Sequence, residues 1–232
     1  LDTCKHLETK GYEITYLPVS RDGLIDLTEL KNAVREDTIL VCVMYVNNET
    51  GVIQPIKDIA SIAHEAGSLF MTDATQAVGK IEIDVDALGI DLLCMSGHKI
   101  YAPKGIGALY VRQRINKVKL PTFIHGGGHE RGVRSGTLNV PGIIGLAKAC
   151  EIAQTEMNQD SERISALRDE IENELLKIEG AFVNGNKENR IYNTTNICFP
   201  NVDANVLIGR MKTLLFQMVR LVPQQLLNLL MF

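Results

Sequence analysis

Polar side chains that can do chemistry follow three predicted strands, each near the point where the strand ends. Asn48 comes shortly after the apolar run that ends at Val46. The other two groups are Asp73 with Gln76, and Ser96 with His98 and Lys99. In parallel sheets, functional side chains lie just beyond the carboxyl ends of the strands. If the three strands are neighbours, we expect a carboxylate, amides, a hydroxyl, an imidazole and an amine to converge on one crevice.

This set of side chains favours the chemistry of an amine and a carboxylate acting on one cofactor ring. A lysine amine tuned by burial and nearby charge can attack a carbonyl group. One such use is a Schiff base with pyridoxal phosphate, in which an aspartate keeps the ring nitrogen protonated and makes the ring an electron sink. Lys99 and Asp73 are the candidates for these roles. Ser96 and His98 can hold the phosphate, and Gly97 between them allows close approach.

Taken singly, these residues also have ordinary structural explanations. Lys99 can simply be solvated, Asp73 can cap the next turn, and His98 can be satisfied within its loop. The glycine-rich segment after His125 suggests other sites, but the chain has no G-x-S-x-G elbow and no nucleotide-binding P-loop. His125 and His129 have the spacing of a helical metal site, yet the glycines between them would break such a helix. The combination around Lys99 is therefore the stronger signal.

Strands and helices alternate along the part of the chain that must position these residues. The runs predicted as strands are Tyr12–Val19, Thr38–Val46, Ser68–Thr72, Ile90–Met95 and Ala108–Arg112. Helices are predicted over Leu27–Val34, with Asp26 as N-cap, and from Pro55 to Ala66, with Gly67 ending the second. The uninterrupted apolar run Thr38–Val46 predicts a strand buried on both faces. This order predicts an α/β fold, a mainly parallel sheet with helices on both faces.

The second part of the chain has a different pattern. From Pro141 to Glu179 the spacing predicts either two helices or one long broken helix. A strand is predicted at Thr194–Phe199, and a helix at Asp203–Lys212 with Asp203 as its cap. We therefore expect the start of a smaller α+β domain after the glycine-rich segment.

Composition excludes several classes of protein. The 24 Lys and Arg against 28 Asp and Glu give a net charge of −4, which argues against a nucleic-acid binder. No apolar run reaches the roughly 18 residues of a membrane span. The five cysteines are scattered, odd in number and without C-x-x-C spacing, which argues against disulfides and a zinc site. Such cysteine usage is typical of a reducing compartment.

Four segments together resemble one known family. VNNETGV at 46–52, DATQAVGK at 73–80, SGHKIYAPKGIGALYVR at 96–112 and HGGGHERGVRSGT at 125–137 are similar to cysteine desulfurases of the iron–sulfur-cluster type. These are class V members of the pyridoxal-phosphate aminotransferase-like enzymes. The resemblance extends in order from Leu1 to about Thr213. It implies a fold-type-I large domain, incomplete at its N-terminus, with part of a small α+β domain.

The resemblance implies a role for each matching residue. Lys99 would form the Schiff base with pyridoxal 5'-phosphate and move the α-proton of the substrate, so that Lys99 and His98 are the candidate catalytic residues. Asp73 would face the ring nitrogen, and Gln76 would donate to the ring hydroxyl. Asn48 would contact that hydroxyl or the substrate carboxylate. Ser96 and His98 would bind the phosphate, and Thr137 would reach the phosphate of a neighbouring subunit. No metal site is implied.

The family activity and partners follow from the same resemblance. The substrate would be L-cysteine: a mobile cysteine attacks its sulfur, alanine leaves, and a persulfide remains for an iron–sulfur scaffold or another sulfur acceptor protein. A homodimer would work in the cytoplasm or another reducing compartment such as the mitochondrial matrix. Two alternatives remain: another class V enzyme, such as a selenocysteine lyase or an aminotransferase, and a non-catalytic interaction fragment that docks through the Thr137 loop.

The two ends of the chain depart from the family pattern. Leu1–Cys4 resembles the stretch just after the histidine that stacks on the cofactor, so we expect that histidine and part of the phosphate loop to be missing. The family loop S-N-G-S-A-C-T-S-A, which holds the nucleophilic cysteine, is absent after Thr213, and no cysteine follows Cys198. A one-base shift of reading frame near Thr213 recovers that loop under a permitted choice of codons.

These departures predict three parts and a loss of activity. Residues 1–138 would be part of the cofactor-binding domain, 139–213 connecting helices and part of the small domain, and 214–232 a frameshifted tail. The leucines of that tail would have no partner in the fold and would form an exposed apolar patch. Because a persulfide needs a thiolate within reach, we expect no sulfur transfer from this chain.

Overall fold

The computed structural model describes residues 1–113, 118, 120–210 and 229–231. Its strands are β1 (Thr15–Leu17), β2 (Leu40–Met44), β3 (Leu69–Asp73), β4 (Leu92–Ser96), β5 (Gly107–Val111), β6 (Phe182–Val183), β7 (Ile197–Cys198) and β8 (Leu229–Met231). Its α-helices are α1 (Asp2–Glu8), α2 (Leu27–Ala33), α3 (Ile56–Glu65), α4 (Val140–Leu175) and α5 (Ala204–Arg210). Most of these elements lie where the sequence predicts them, with shorter strands.

The centre of the structure is a six-stranded sheet with the order β1-β8-β2-β3-β4-β5. β2, β3 and β4 are parallel neighbours, whereas β5 and β8 run antiparallel to the strands beside them. The predicted mainly parallel sheet is therefore confirmed. Because β2, β3 and β4 are adjacent and parallel, their carboxyl ends lie at one edge of the sheet.

The helices α2 and α3 begin and end at the residues that the sequence marks. Asp26 caps α2, since its Oδ1 accepts hydrogen bonds from the backbone N–H groups of Thr28 at 2.7 Å and Glu29 at 3.2 Å. Gly67 follows α3 with a φ of +80°, a conformation that glycine adopts without strain. The buried face of α3 packs into the core that β2 and β3 form, and consists of Ile56, Ile59, Ala60 and Ala63.

The strand β2 is buried on one face only. Val41 and Val43 are buried in the core, but Cys42 between them is half-buried and Met44 is 38% exposed. The prediction of a strand buried on both faces is wrong here, because in the described residues the core with α2 and α3 covers one face more fully than the other. Near the carboxyl ends of the strands, the less covered face leaves room for a ligand.

The helical pattern after Pro141 forms one helix, α4, of 36 residues. Its N-cap is Asn139, whose Oδ1 accepts from the N–H of Gly142 at 3.2 Å. The helix packs closely on the loops that follow β3 and β4, because a Cβ added at Gly79 would lie 2.9 Å from Ala153 and equally close to Ile100. α4 therefore supports both loops from behind.

A buried charge cluster holds α4 to the segment that precedes β7. Glu172 is 5% exposed and accepts hydrogen bonds from Arg190 at 2.6 Å and from Thr195. Lys187 adds an ion pair at 3.1 Å. The same segment continues onto the loop after β2, where the N–H of Ile191 donates to the carbonyl of Gly51 at 2.9 Å. This connection joins the two parts of the described chain.

The tail after Thr213 lies largely outside the described residues. Its described part, Leu229–Met231, forms β8 and pairs antiparallel with both β1 and β2. The expectation that the tail has no partner in the fold is wrong for these three residues, because their backbone groups pair with two strand edges. The predicted shift of reading frame stays a prediction.

Among the residues that the structure describes, no helix combines the length and the apolar character needed to cross a membrane. In that same part of the chain, no group of three or more His, Cys, Asp or Glu side chains is arranged to hold a metal ion.

Candidate active site

The structure brings three of the predicted residues into one cleft at the carboxyl edge of the sheet. The cleft has a volume of about 130 Å³ and is lined by Met44, Val46, Asn48, Asp73, Thr75 and Gln76. Two of these are apolar and the others offer a carboxylate, a hydroxyl and amides. This combination suits a flat ring whose faces are apolar and whose edges carry polar atoms.

Asp73 is the last residue of β3 and its side chain is exposed. Its Oδ1 accepts a hydrogen bond from the backbone N–H of Thr75 at 2.9 Å. Its backbone carbonyl accepts from the N–H of Tyr45 at 2.8 Å, which ties the end of β3 to the loop after β2. Asp73 does cap the turn that follows it, and this bond keeps one oxygen of the carboxylate at the cleft.

Asn48 lies on a loop that the side chain of its neighbour Asn47 stabilises. The Oδ1 of Asn47 accepts from the backbone N–H groups of Glu49 and Thr50, both at 2.9 Å. Asn47 is buried, whereas Asn48 is exposed toward the cleft it lines. From the far side, Asn196 donates to the carbonyl of Glu49 at 3.3 Å. From the sequence, Asn47 is one of the polar residues after the strand but has no assigned role. Asparagine commonly accepts a bond from the backbone N–H two residues on, which is the signal that could have assigned one.

Ser96 is the last residue of β4, and His98 and Lys99 lie on the 3₁₀ turn that follows it, Gly97–Ile100. Ser96 Oγ and His98 Nδ1 are 2.7 Å apart, so the hydroxyl and the imidazole form one hydrogen-bonded pair. The N–H of Gly97 donates to the carbonyl of Ile106 at 2.9 Å, which anchors the turn to the start of β5. Lys99 is half-buried within this turn. The end of β4 and the turn after it thus present a hydroxyl, an imidazole and an amine within four residues.

A second lysine, which sequence reasoning missed, lies near Lys99. Lys80 is half-buried, and its Nζ donates to the carbonyl of Gln76 at 3.1 Å. Burial, and then the positive charge of Lys99, lower the pKa of Lys80 to about 8. The pattern DATQAVGK ends in this lysine, but nothing in its spacing reveals that the chain folds back toward Lys99. Two amines therefore share the region beside the cleft.

Thr137 is not among the described residues that line the cleft. It is exposed in the loop before α4, and no hydrogen bond among the described residues joins it to Asp73 or Lys99. The loop itself is closed by the Oγ of Ser135, which accepts from the N–H of Gly128 at 3.1 Å. The role inferred for Thr137, on the phosphate of a neighbouring subunit, stays a prediction.

The family of the chain follows from comparison with known proteins. Residues 2–214 match the family described as aminotransferase class-V. This chain belongs to that family. The chain therefore has part of the type I fold of pyridoxal-phosphate-dependent enzymes. Pyridoxal 5'-phosphate is the cofactor of its family.

The chain is also similar to individual proteins and solved structures. The chain is 51% identical over 214 residues to the cysteine desulfurase IscS of Tolumonas auensis, an alignment that covers 92% of this chain and 53% of the relative. A solved NifS-like protein matches 90% of this chain and 56% of its own, with a TM-score of 0.85 and 40% identity. A structure of SspA in complex with cysteine matches 86% of this chain and 55% of its own, with a TM-score of 0.72 and 40% identity. The chain spans about half the length of the curated relatives it matches.

The residues present fit the family cofactor. The cleft is lined by a carboxylate that accepts a backbone hydrogen bond, by two amides and by apolar side chains. A hydroxyl–imidazole pair and an amine lie at the end of the adjacent strand and on the turn after it. A pyridoxal phosphate molecule needs one acceptor at its ring nitrogen, donors at its ring hydroxyl and phosphate, and an amine at its aldehyde carbon. In that order, the groups would come from Asp73, from Gln76 with Asn48, from Ser96 with His98, and from Lys99. This assignment stays a prediction.

Proposed function

We propose that the protein to which this chain belongs is a pyridoxal-phosphate-dependent cysteine desulfurase. It converts L-cysteine to L-alanine and passes the sulfur as a persulfide to an iron–sulfur scaffold or another acceptor protein. The observation that carries the proposal is the cleft lined by Asn48, Asp73 and Gln76, at the sheet edge where the turn with Lys99 also begins. The similarity to proteins named cysteine desulfurase, and to one solved with cysteine, supports this choice of substrate.

Each residue has a task that its position explains. When bound, pyridoxal phosphate supplies an electron sink for the electron pair left when the α-proton of an amino acid is removed. Asp73, oriented by Thr75, presents a negative charge to the ring nitrogen. The Nζ of Lys99 takes and returns the proton at the substrate Cα. Ser96 and His98 hold the phosphate as one hydrogen-bonded pair.

The amides of the cleft orient the ring and the substrate. Asn48 lies on the loop after β2, which is stabilised by the hydrogen bond from the N–H of Glu49 to the side chain of Asn47. Gln76 lies on the turn after β3, and its backbone carbonyl accepts a hydrogen bond from the Nζ of Lys80. Both amides can donate to the ring hydroxyl, and Asn48 can instead reach the substrate carboxylate. We place the cofactor-binding part of the chain at residues 1–138 and the connecting helices with part of the small domain at 139–213.

Sulfur transfer needs a thiolate, which the described cysteines near the cleft do not supply. Burial is the main cause that raises the pKa of Cys42 to about 12 and that of Cys94 to about 11. Cys150 and Cys198 lie outside the six-stranded sheet, on α4 and β7. We therefore propose that this chain binds the cofactor without completing sulfur transfer. The intact protein would act as a homodimer in the cytoplasm or another reducing compartment.

An absorbance titration with pyridoxal phosphate tests the proposal. We expect the full chain to develop an absorbance band that Lys99→Ala abolishes. Lys57→Ala, which removes an exposed lysine on α3, is the matched control and should leave the band unchanged. Equal bands in all three proteins would show that Lys99 is not the reactive amine.

The substrate requires a separate measurement. With a full-length protein whose cysteine loop is restored, we expect L-cysteine to yield alanine and sulfide in equal amounts in the presence of a reductant. Transamination without sulfide would instead identify a class V aminotransferase, and preference for selenocysteine would identify a lyase.

A further inference from the structure

A thiol lies next to the carboxylate of Asp73 and has no part in the chemistry proposed above. Cys94 is on β4, and the register of β3 and β4 places it directly opposite Asp73. Register partners on adjacent parallel strands point to the same face of a sheet. The backbone fixes the pair as well, since the N–H of Ala74 donates to the carbonyl of Cys94 at 2.9 Å. The two side chains are therefore neighbours on the face that opens into the cleft.

The two groups are complementary as donor and acceptor. An ionised carboxylate only accepts hydrogen bonds, whereas a thiol can donate one. One oxygen of Asp73, Oδ1, accepts from the N–H of Thr75 at 2.9 Å. A single bond lets a carboxylate rotate about it, and a second donor from the adjacent strand would restrict that rotation.

We propose that the Cys94 thiol donates a hydrogen bond to the Asp73 carboxylate and is a positioning residue for it. The bond holds the carboxylate in the orientation that meets the ring nitrogen of the cofactor. The pairing of thiol and carboxylate is a property of the cofactor-free chain, whereas its consequence for the cofactor rests on the proposed function.

The protonation state of Cys94 agrees with the role of a donor. Its pKa is raised to about 11, first by burial and then by the negative charge of Asp73. The thiol therefore keeps its proton at neutral pH and can donate it. Cys42, on β2, is opposite Met71 rather than Asp73 and has no comparable partner in register.

The first test measures the thiol without any cofactor. The rate at which iodoacetamide modifies Cys94 is followed against pH by peptide mass spectrometry in the full chain and in Asp73→Asn. We expect the pKa of Cys94 to fall in Asp73→Asn, because a negative neighbour has been removed, so that modification at pH 9 becomes several-fold faster. It should not reach the ordinary thiol value, since burial remains.

Two controls separate this effect from unfolding. Glu49→Gln removes another half-buried carboxylate in the loop after β2, and it should leave the Cys94 profile unchanged. Cys150 and Cys198 report the fold elsewhere, and their modification rates should be equal in all variants. A Cys94 profile that is the same with and without the Asp73 charge overturns the proposal.

The second test concerns position. Cys94→Ser keeps a donor at the same place, whereas Cys94→Ala removes it. We expect pyridoxal phosphate affinity within about twofold of the unaltered chain for Ser, and a loss of roughly 3- to 10-fold for Ala, the effect of one hydrogen bond. Equal affinities for Ser and Ala would overturn the positioning role. If no variant binds the cofactor, the proposed function fails, and the thiol titration still decides whether the pair exists.

Discussion

At the scale of single residues, some members of the site can be predicted from the sequence and others cannot. Asp73 and Lys99 stand directly after strands, where their types alone suggest a carboxylate and an amine at a cofactor. Lys80 and Cys94 were not predictable, because their significance depends on partners from other strands and turns. Whether such a residue matters is decided by register and burial, and neither can be read from spacing within one segment.

The pKa of Lys80 should depend on the charge of Lys99. In Lys99→Ala, we expect the pKa of Lys80 to rise from about 8 toward its ordinary value of 10.5, because a positive neighbour that opposes its protonation is gone. The rise should be partial, since burial is the larger cause and is unchanged. Nuclear magnetic resonance of isotopically labelled lysine side chains against pH measures this directly.

The control for Lys80 is again Lys57→Ala on α3, which should leave the titration unchanged. If Lys80 titrates identically in Lys99→Ala and in the unaltered chain, the two amines are not neighbours.

At the scale of elements, the order and type were predictable and the packing was not. The caps Asp26 and Gly67 mark the ends of α2 and α3 in the sequence, and the structure confirms both. The apolar run of β2 did not reveal that one of its faces is less covered. An apolar sequence shows which residues can be buried, but it does not show which neighbours bury them. The same reason explains β8, whose pairing with β1 and β2 depends on open edges elsewhere.

The strands β4 and β5 approach each other closely at Gly107, and stability should depend on this approach. A Cβ at Gly107 would clash with the carbonyl oxygen of Met95. Gly107→Ala must therefore push β5 away from the strand that ends in Ser96. We expect a loss of about 1–3 kcal/mol in the free energy of unfolding, measured by urea denaturation. Cofactor affinity should weaken in parallel.

Gly209→Ala is the matched substitution for this experiment. Gly209 is exposed within α5 and has open space around its Cα, so alanine should leave the urea midpoint equal or slightly higher. A midpoint for Gly107→Ala as high as that of Gly209→Ala would contradict the close approach of the two strands.

At the scale of the whole molecule, the cleft depends on a segment far away in the sequence. The segment before β7 bonds to the loop after β2 through Asn196 and Ile191, and to α4 through Arg190. The Asn48 loop is thereby stabilised by residues that lie about 140 positions later in the sequence. Sequence reasoning could not find this connection, because no local pattern marks a contact of such separation. Its strongest part is the buried cluster around Glu172.

That cluster predicts how the stability of the whole chain depends on pH. Burial alone would raise the pKa of Glu172, but hydrogen bonds from Arg190, Thr195 and Lys187 lower it to about 2. A carboxylate with a lowered pKa contributes stability that is complete above its unfolded value of about 4.5 and is lost as the pH falls through about 2. We expect the urea midpoint to decline over this window. In Glu172→Gln, the part of the decline that comes from this residue should be absent.

Glu172→Gln should also lower the free energy of unfolding at pH 7 by about 3–5 kcal/mol, because it leaves Arg190 buried without a charged partner. The comparison is Glu174→Gln, which breaks an exposed pair with Lys177 and should change stability by less than about 1 kcal/mol. The Asn48 loop adds a second readout, since loosening of the segment before β7 should weaken pyridoxal phosphate binding in Glu172→Gln alone. Equal stability and equal cofactor affinity in the two variants would mean that the cluster does not hold the molecule together as its contacts indicate.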